Sequence, residues 1–225
     1  MYKSLTGNQL KLIAMVTMTV DHIGFILLPQ VLWLRLIGRL AFPIYAWFIA
    51  EGCRHTRNMP RYLASVAAMA LLCQLVSYVA TGSLYQCILV TFSVSISLIF
   101  LLQKAKETKH WLWAVLFAVA SGATWFVTET LPTLLTGTDY GVDYGFWGVI
   151  LPIAVWIMSE KRYQLAVAAT IMAVMSVMNG LQWFAFPALG LLALYNGKRG
   201  RHNIKWLFYF YYPAHLAALY LIAML

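Results

Sequence analysis

Apolar runs long enough to cross a bilayer fill this chain, and its positive charge falls in every second gap between them. At ~20 residues per crossing, spans are expected near 10–28, 34–52, 61–80, 84–103, 110–129, 145–158, 163–179, 181–196 and 205–224, the sixth and eighth being short. Lys3 and Lys11 precede the first span, and Arg54, Arg57 and Arg61 follow the second. Lys104, Lys106 and Lys109 follow the fourth, Lys161 and Arg162 the sixth, and Lys198, Arg199, Arg201 and Lys205 the eighth. The alternate gaps hold almost none. Gly82-Ser83 and Asn179-Gly180 are short turns, and the 129–144 connection carries Glu129, Asp139 and Asp143 instead. Because short loops rich in Lys and Arg stay on the cytoplasmic side, about nine spans with the N-terminus cytoplasmic and the C-terminus outside satisfy every connection.

Composition supports the same class. Of 225 residues, 62% are hydrophobic and 10% charged, with a mean hydropathy of +0.75. A soluble domain carries about 25% charged residues, so an all-α polytopic membrane protein is expected. The formal charge of +9 then records topology and gives no argument for nucleic acid. No soluble domain, low-complexity linker or internal repeat interrupts the pattern, and residues 1–225 read as a single integral-membrane bundle. The first run lacks a small-residue cleavage site and reads as an uncleaved span. Cys53, Cys73 and Cys87 have no ligand spacing and read as apolar fillers, with neither a disulfide nor a metal site.

Against this apolar background, Asp21-His22 inside the first span is expensive. Each ionisable group in hydrocarbon costs on the order of 2.5–3.5 kcal/mol on insertion scales, so such residues mark function unless they only pair neighbouring helices. Counting ~1.5 Å per residue, His22 lies ~17 Å above Lys11 and His215 ~15 Å above Lys205. Both fall near the middle of a ~30 Å core, where two imidazoles can share a cavity. Pro213, just before His215, frees a backbone carbonyl that needs a polar partner. Arg35 and Arg39 share a face of span two, and Arg39 sits ~22 Å from the cytoplasmic edge by the same count. Asp21 is the acid nearest to it in height, so pairing is expected for Arg39, and outward snorkelling for Arg35. Pro43 predicts a kink just below Arg39.

Asp21 and His22 diverge by ~100° around one helix, so they do not form a simple dyad. Asp21 is expected to hold span two while His22, with its tunable imidazole, faces the cavity as a general base. At the cytoplasmic end of span two, Glu51, Arg54 and His55 share a face and, with Arg57, suit the phosphates of a cytosolic ligand; a plain topology anchor explains Arg57 and Arg61 equally well. On the outer side, Asp139 and Asp143 lie in a stretch of aromatics and glycines that suits a cationic or hydroxylated acceptor.

These segments resemble the TraX family, integral-membrane proteins named for acetylation of conjugative F-pilin. The resemblance rests on Asp-His-Ile-Gly at Asp21–Gly24, Arg-Leu-Ala-Phe-Pro-Ile at Arg39–Ile44, and Glu51–Arg57. It continues through Asp143–Gly148 and the closing Phe208–Leu216. It implies a transmembrane acyltransferase of the bacterial inner membrane, taking acetyl from cytosolic acetyl-CoA to an extracytoplasmic acceptor, a pilin-like protein or a glycan. It implies a catalytic His22, to which the residue reading adds Asp21, with Arg39 or His215 at the oxyanion. Glu51, Arg54, His55 and Arg57 would then hold the coenzyme, and Asp139, Asp143 and Arg35 would face the acceptor. A proton-coupled transporter and a non-enzymatic envelope assembly protein remain the other readings; the first is weakened because no repeat symmetry is visible.

Overall fold

A computed structural model describes residues 4–201 and 205–225, without the side chains of residues 205, 206, 208 and 209. The expectations placed on Lys3 and on the side chains of Lys205, Phe208 and Tyr209 lie outside the described residues. Among those described, every regular element is helical. In order these are α1 (Gly7–Ile26), α2 (Leu32–Gly38), α3 (Ala41–His55), α4 (Met59–Thr81), α5 (Ile88–Thr108) and α6 (Trp111–Trp125). A π-helical turn (Phe126–Thr130) leads into α7 (Leu131–Leu134), followed by α8 (Gly145–Ile157) and α9 (Lys161–Met178). A 3-10 stretch (Gly180–Ala185), α10 (Pro187–Ala193) and α11 (Lys205–Ala223) complete the chain.

Among the described residues, five stretches are long and apolar enough to cross a membrane: Gly7–Ile26, Leu32–His55, Met59–Thr81, Ile88–Thr108 and Trp111–Leu134. Shorter apolar helices cover Gly145–Ile157, Gly180–Ala193 and Phe210–Ala223.

The boundaries have local causes. Thr6 starts α1 with a capping box: its hydroxyl accepts from the Gln9 N–H, and the Gln9 side chain accepts from the Thr6 N–H at 2.9 Å. The expected kink in span two is a full break at Arg39–Leu40. Pro43 cannot donate to the carbonyl of Arg39, and its ring crowds that oxygen. Pro132 acts likewise toward Thr128. There the ladder widens instead of breaking, and the Leu131 N–H reaches back to the Phe126 carbonyl. Asn58 caps α4 through Arg61 N–H at 2.9 Å, and Gly82, at φ +69°, ends it in the left-handed conformation.

The helices form two compact units, Met1–Phe48 with Met158–Leu225, and Ile49–Ile157. In the first, α1 packs on α2 and α11, while α9 packs on the 3-10 stretch and α10. Gly24 and Gly38 set the α1–α2 approach. A Cβ on Gly24 would lie 2.6 Å from Leu34 Cβ, and one on Gly38 would lie 2.6 Å from Asp21 Cγ. Close backbone contact through small residues is how helices associate where lipid competes for apolar surface. The residue run before α1 and the first turn of α1 are tied to the chain after α10: Leu5 N–H donates to Leu194 O, Gly7 N–H to Lys198 O and Asn8 N–H to Arg199 O, at 2.8–2.9 Å. Lys161 draws the same region together by donating to the carbonyls of Ala193 and Tyr195, at 2.6 and 2.7 Å.

In the second unit α5 is central, touching α4, α6 and α8. Ile96, Leu98 and Ile99 of α5 are fully buried, as are Val149, Leu151 and Val155 of α8. Ser95 stitches the two helices by donating to Val149 O at 2.9 Å, and Thr91 donates to Asp143 O at 2.7 Å. Hydroxyls that satisfy a neighbouring carbonyl act as polar glue in such interfaces.

Candidate functional site

In the first unit, α1 presents Asp21 to α2. One carboxylate oxygen accepts from Arg39 Nη2 at 2.7 Å and the other from Arg35 Nη1 at 2.9 Å. Arg39 is 7% exposed and Asp21 9%, so this is an interior ion pair that depends on good geometry to offset desolvation. Gly38 makes it possible, because only a hydrogen fits between the α2 backbone and the Asp21 side chain. The pairing expected for Arg39 is therefore present. Arg35, expected to snorkel outward, instead turns in to the same carboxylate, its guanidinium lying 4.9 Å from the Phe25 ring centroid. Two arginines one turn apart fork onto the two oxygens of one acid.

His22, about 100° further around α1, faces α11. Its Nδ1 lies 2.7 Å from His215 Nε2, with the ring centroids 4.9 Å apart. The Nδ1 of His215 donates to the Tyr211 carbonyl, one turn back, at 2.9 Å. Tyr211 stacks on His215, and its hydroxyl lies 2.6 Å from that of Thr19, which itself reaches Met15 O at 2.9 Å. Tyr212 meets the His22 ring edge-on at 5.9 Å. The shared depth of the two histidines thus becomes direct contact, although His215 has both ring nitrogens engaged and is not poised as an oxyanion donor. Nε2 of His22 bonds none of the described residues. Thr19, Tyr211 and Tyr212 were not anticipated from the sequence. The signal was there, since Thr19 and His22 are three apart, Tyr211 and His215 four apart, so each pair shares a helix face.

In the second unit, Glu51, Arg54 and His55 share a face as expected, but their contacts differ from a phosphate clamp. Arg54 binds Glu51 at 2.8 Å, and its other nitrogen donates to the carbonyls of Val155 and Trp156, the latter at 3.1 Å. These are unsatisfied oxygens at the C-terminal end of α8, where a cation also complements the helix dipole. Arg54 is thus a helix cap. His55 Nδ1 contacts the Glu51 carbonyl at 2.9 Å, while its side chain is 75% exposed, and Arg57 is exposed too.

Asp139 and Asp143 lie toward the opposite end of α8. Asp139 accepts from the Ser83 side chain and from Leu84 N–H at 3.0 Å, which holds its carboxyl below the ordinary carboxylate value. The backbone of Asp143 pairs with Gln86. Glu129, not expected to act here, accepts from Phe146 N–H at 2.7 Å and caps α8. Asp139 and Asp143 are thus brought into one loop cluster. Among the described residues, no group of three His, Cys, Asp or Glu side chains could hold a metal ion.

The chain matches the TraX protein family over residues 6–223. It is 28% identical over 236 residues to a probable fimbrial assembly protein FimC, serogroup H1, of Dichelobacter nodosus, covering 94% of this chain and 93% of that one. An uncharacterised protein of Rickettsia prowazekii (strain Madrid E) is 46% identical over 39 residues, 17% of this chain and 16% of that one. No solved structure matches.

Proposed function

Because this chain belongs to the TraX family, we propose that it is an acetyltransferase of the bacterial inner membrane, using cytosolic acetyl-CoA and an acceptor outside. It would cross the membrane nine times with its N-terminus in the cytoplasm. The observation that carries this reading is His22: an imidazole on an apolar helix, held through Nδ1, with Nε2 bonded to none of the described residues. An acceptor O–H or N–H attacks the acetyl carbonyl carbon; the new O–C or N–C bond forms as the C–S bond breaks. The acceptor's proton passes to His22, then to the departing thiolate. General base catalysis of this kind contributes roughly 10²–10⁴-fold. His55 and Arg57 are the exposed candidates for the coenzyme's phosphates, and Asp139 and Asp143 for the acceptor. A pilin-like acceptor is supported by the likeness to the Dichelobacter protein, a probable fimbrial assembly protein.

The test is purified protein in lipid with labelled acetyl-CoA and pilin or glycan acceptors, read by mass spectrometry. His22→Ala should insert normally and lose transfer by about 10²-fold or more; undiminished transfer would remove the mechanism. A non-enzymatic assembly role is favoured by one observation, the full engagement of Asp21 by two arginines. It predicts no acetyl transfer by the wild type and fimbrial assembly intact in His22→Ala.

A further inference from the structure

The contact between the two histidines has a direction, set by the carbonyl at its far end. A backbone carbonyl only accepts, so His215 Nδ1, 2.9 Å from the Tyr211 oxygen, carries a hydrogen. In a neutral ring the other nitrogen, Nε2, is then a bare acceptor. The hydrogen in the 2.7 Å contact must therefore come from His22 Nδ1. We propose that His215 is a positioning residue that fixes His22 as the Nδ1–H tautomer, so that Nε2 is the nitrogen that reacts. This rests on the acyl-transfer reading for its consequence, though not for its structural content.

Three further observations support the assignment. The carboxylate adjacent in sequence, Asp21, is not available to orient His22, because Arg35 and Arg39 take both of its oxygens. The Tyr211 carbonyl is held in place, since Tyr211 also stacks on His215 and its hydroxyl bonds Thr19 on α1. Thr19 donates to Met15 O, so the Tyr211 hydroxyl supplies the hydrogen of the Thr19 contact, joining α11 to α1 one turn from His22. The device is the orienting hydrogen bond of a catalytic triad with a neutral ring in place of the anion, which sets the tautomer without adding a charge to hydrocarbon. When His22 Nε2 takes the acceptor's proton, Nδ1–H remains bonded to His215 Nε2, and the proton later leaves from Nε2 to the thiolate sulfur.

Ring-nitrogen NMR on histidine-labelled full-length protein in lipid bilayers reads this directly, without donor or acceptor present. His22, assigned by its loss in His22→Ala, should show a protonated Nδ1 and a bare Nε2. In His215→Ala the bare-Nε2 form should lose its dominance, and in His215→Gln, whose side-chain oxygen replaces the acceptor, it should return. In the acetyl-transfer assay, kcat should fall about 10²-fold in His215→Ala with KM for acetyl-CoA unchanged, and recover to within about 10-fold in His215→Gln. A protonated Nε2 on wild-type His22, or an unchanged tautomer in His215→Ala, overturns the proposal; the wild-type spectrum decides even where a variant misfolds. The expected spectrum from a protein with no transferase activity would refute the proposed reaction while leaving this assignment standing. The wrong spectrum from an active protein does the reverse.

Discussion

Removing the Asp21 carboxylate with Asp21→Ala leaves two guanidiniums that differ sharply in surroundings. The Arg39 side chain is 9% exposed and contacts Asp21 at 2.7 Å, whereas that of Arg35 is 24% exposed and also rests on the Phe25 ring. Breaking a buried pair by deleting one partner costs about 3–5 kcal/mol, since the remaining charge is uncompensated. A less buried pair contributes less, about 0–1 kcal/mol where it is exposed. Almost all of the cost should therefore fall on Arg39. In a chain of this length each kcal/mol moves Tm by about 2–4 °C, so Asp21→Ala should lower Tm by roughly 6–20 °C. Arg39→Ala should approach that value, because it strands Asp21 with the weaker partner. Arg35→Ala should lower Tm by no more than about 4 °C. Thermal unfolding in one detergent, followed by tryptophan fluorescence, measures all three, and the double variant Asp21→Ala/Arg39→Ala should cost less than the sum of the singles. Equal losses for Arg35→Ala and Arg39→Ala, or additivity in the double variant, would refute the assignment of the clamp to Arg39.

Gly38→Ala should cost about 1–3 kcal/mol, because its Cβ would meet Asp21. In Gly122→Ala nothing lies within 4 Å of the new Cβ, so unfolding in detergent should show no loss and up to about 1 kcal/mol of gain. Arg54→Ala should destabilise by about 2 kcal/mol through the lost bonds to the end of α8, whereas Arg57→Ala should leave Tm unchanged and weaken acetyl-CoA binding by calorimetry. Asp139 is held below its ordinary value of 3.8, so its stabilising contribution is complete above that pH and is lost as pH falls through the lower folded value. The protection of the Leu84 amide, taken relative to an unstructured amide at the same pH, should fall on acidification in the wild type, and Asp139→Asn should flatten that dependence.

Heights along the helices were legible in advance, because a helix converts residue count into distance. That sufficed to level His22 with His215 and to bring Asp21 to Arg39. It failed for Arg35. Snorkelling assumes an uninterrupted helix with a lipid-facing side, and the break at Arg39–Leu40 with the glycine contact at Gly38 turns both arginines toward one acid. It failed again for Arg54, whose partners are backbone carbonyls about a hundred residues away. Charge near a span end marks the cytoplasmic side, but no residue pattern announces that another helix ends beside it. Likewise Glu129 looked like loop charge until its bond to the first turn of α8 placed it.

The amino-acid sequence by itself determined that the chain is helical and apolar, and how far apart its polar groups lie along each helix. These properties follow from composition and from a fixed rise per residue. Which way each polar side chain turns, and which atom it meets, was decided only by tertiary packing. Hydrogen bonds act over about 3 Å, a scale on which helix rotation and glycine contacts choose the partner.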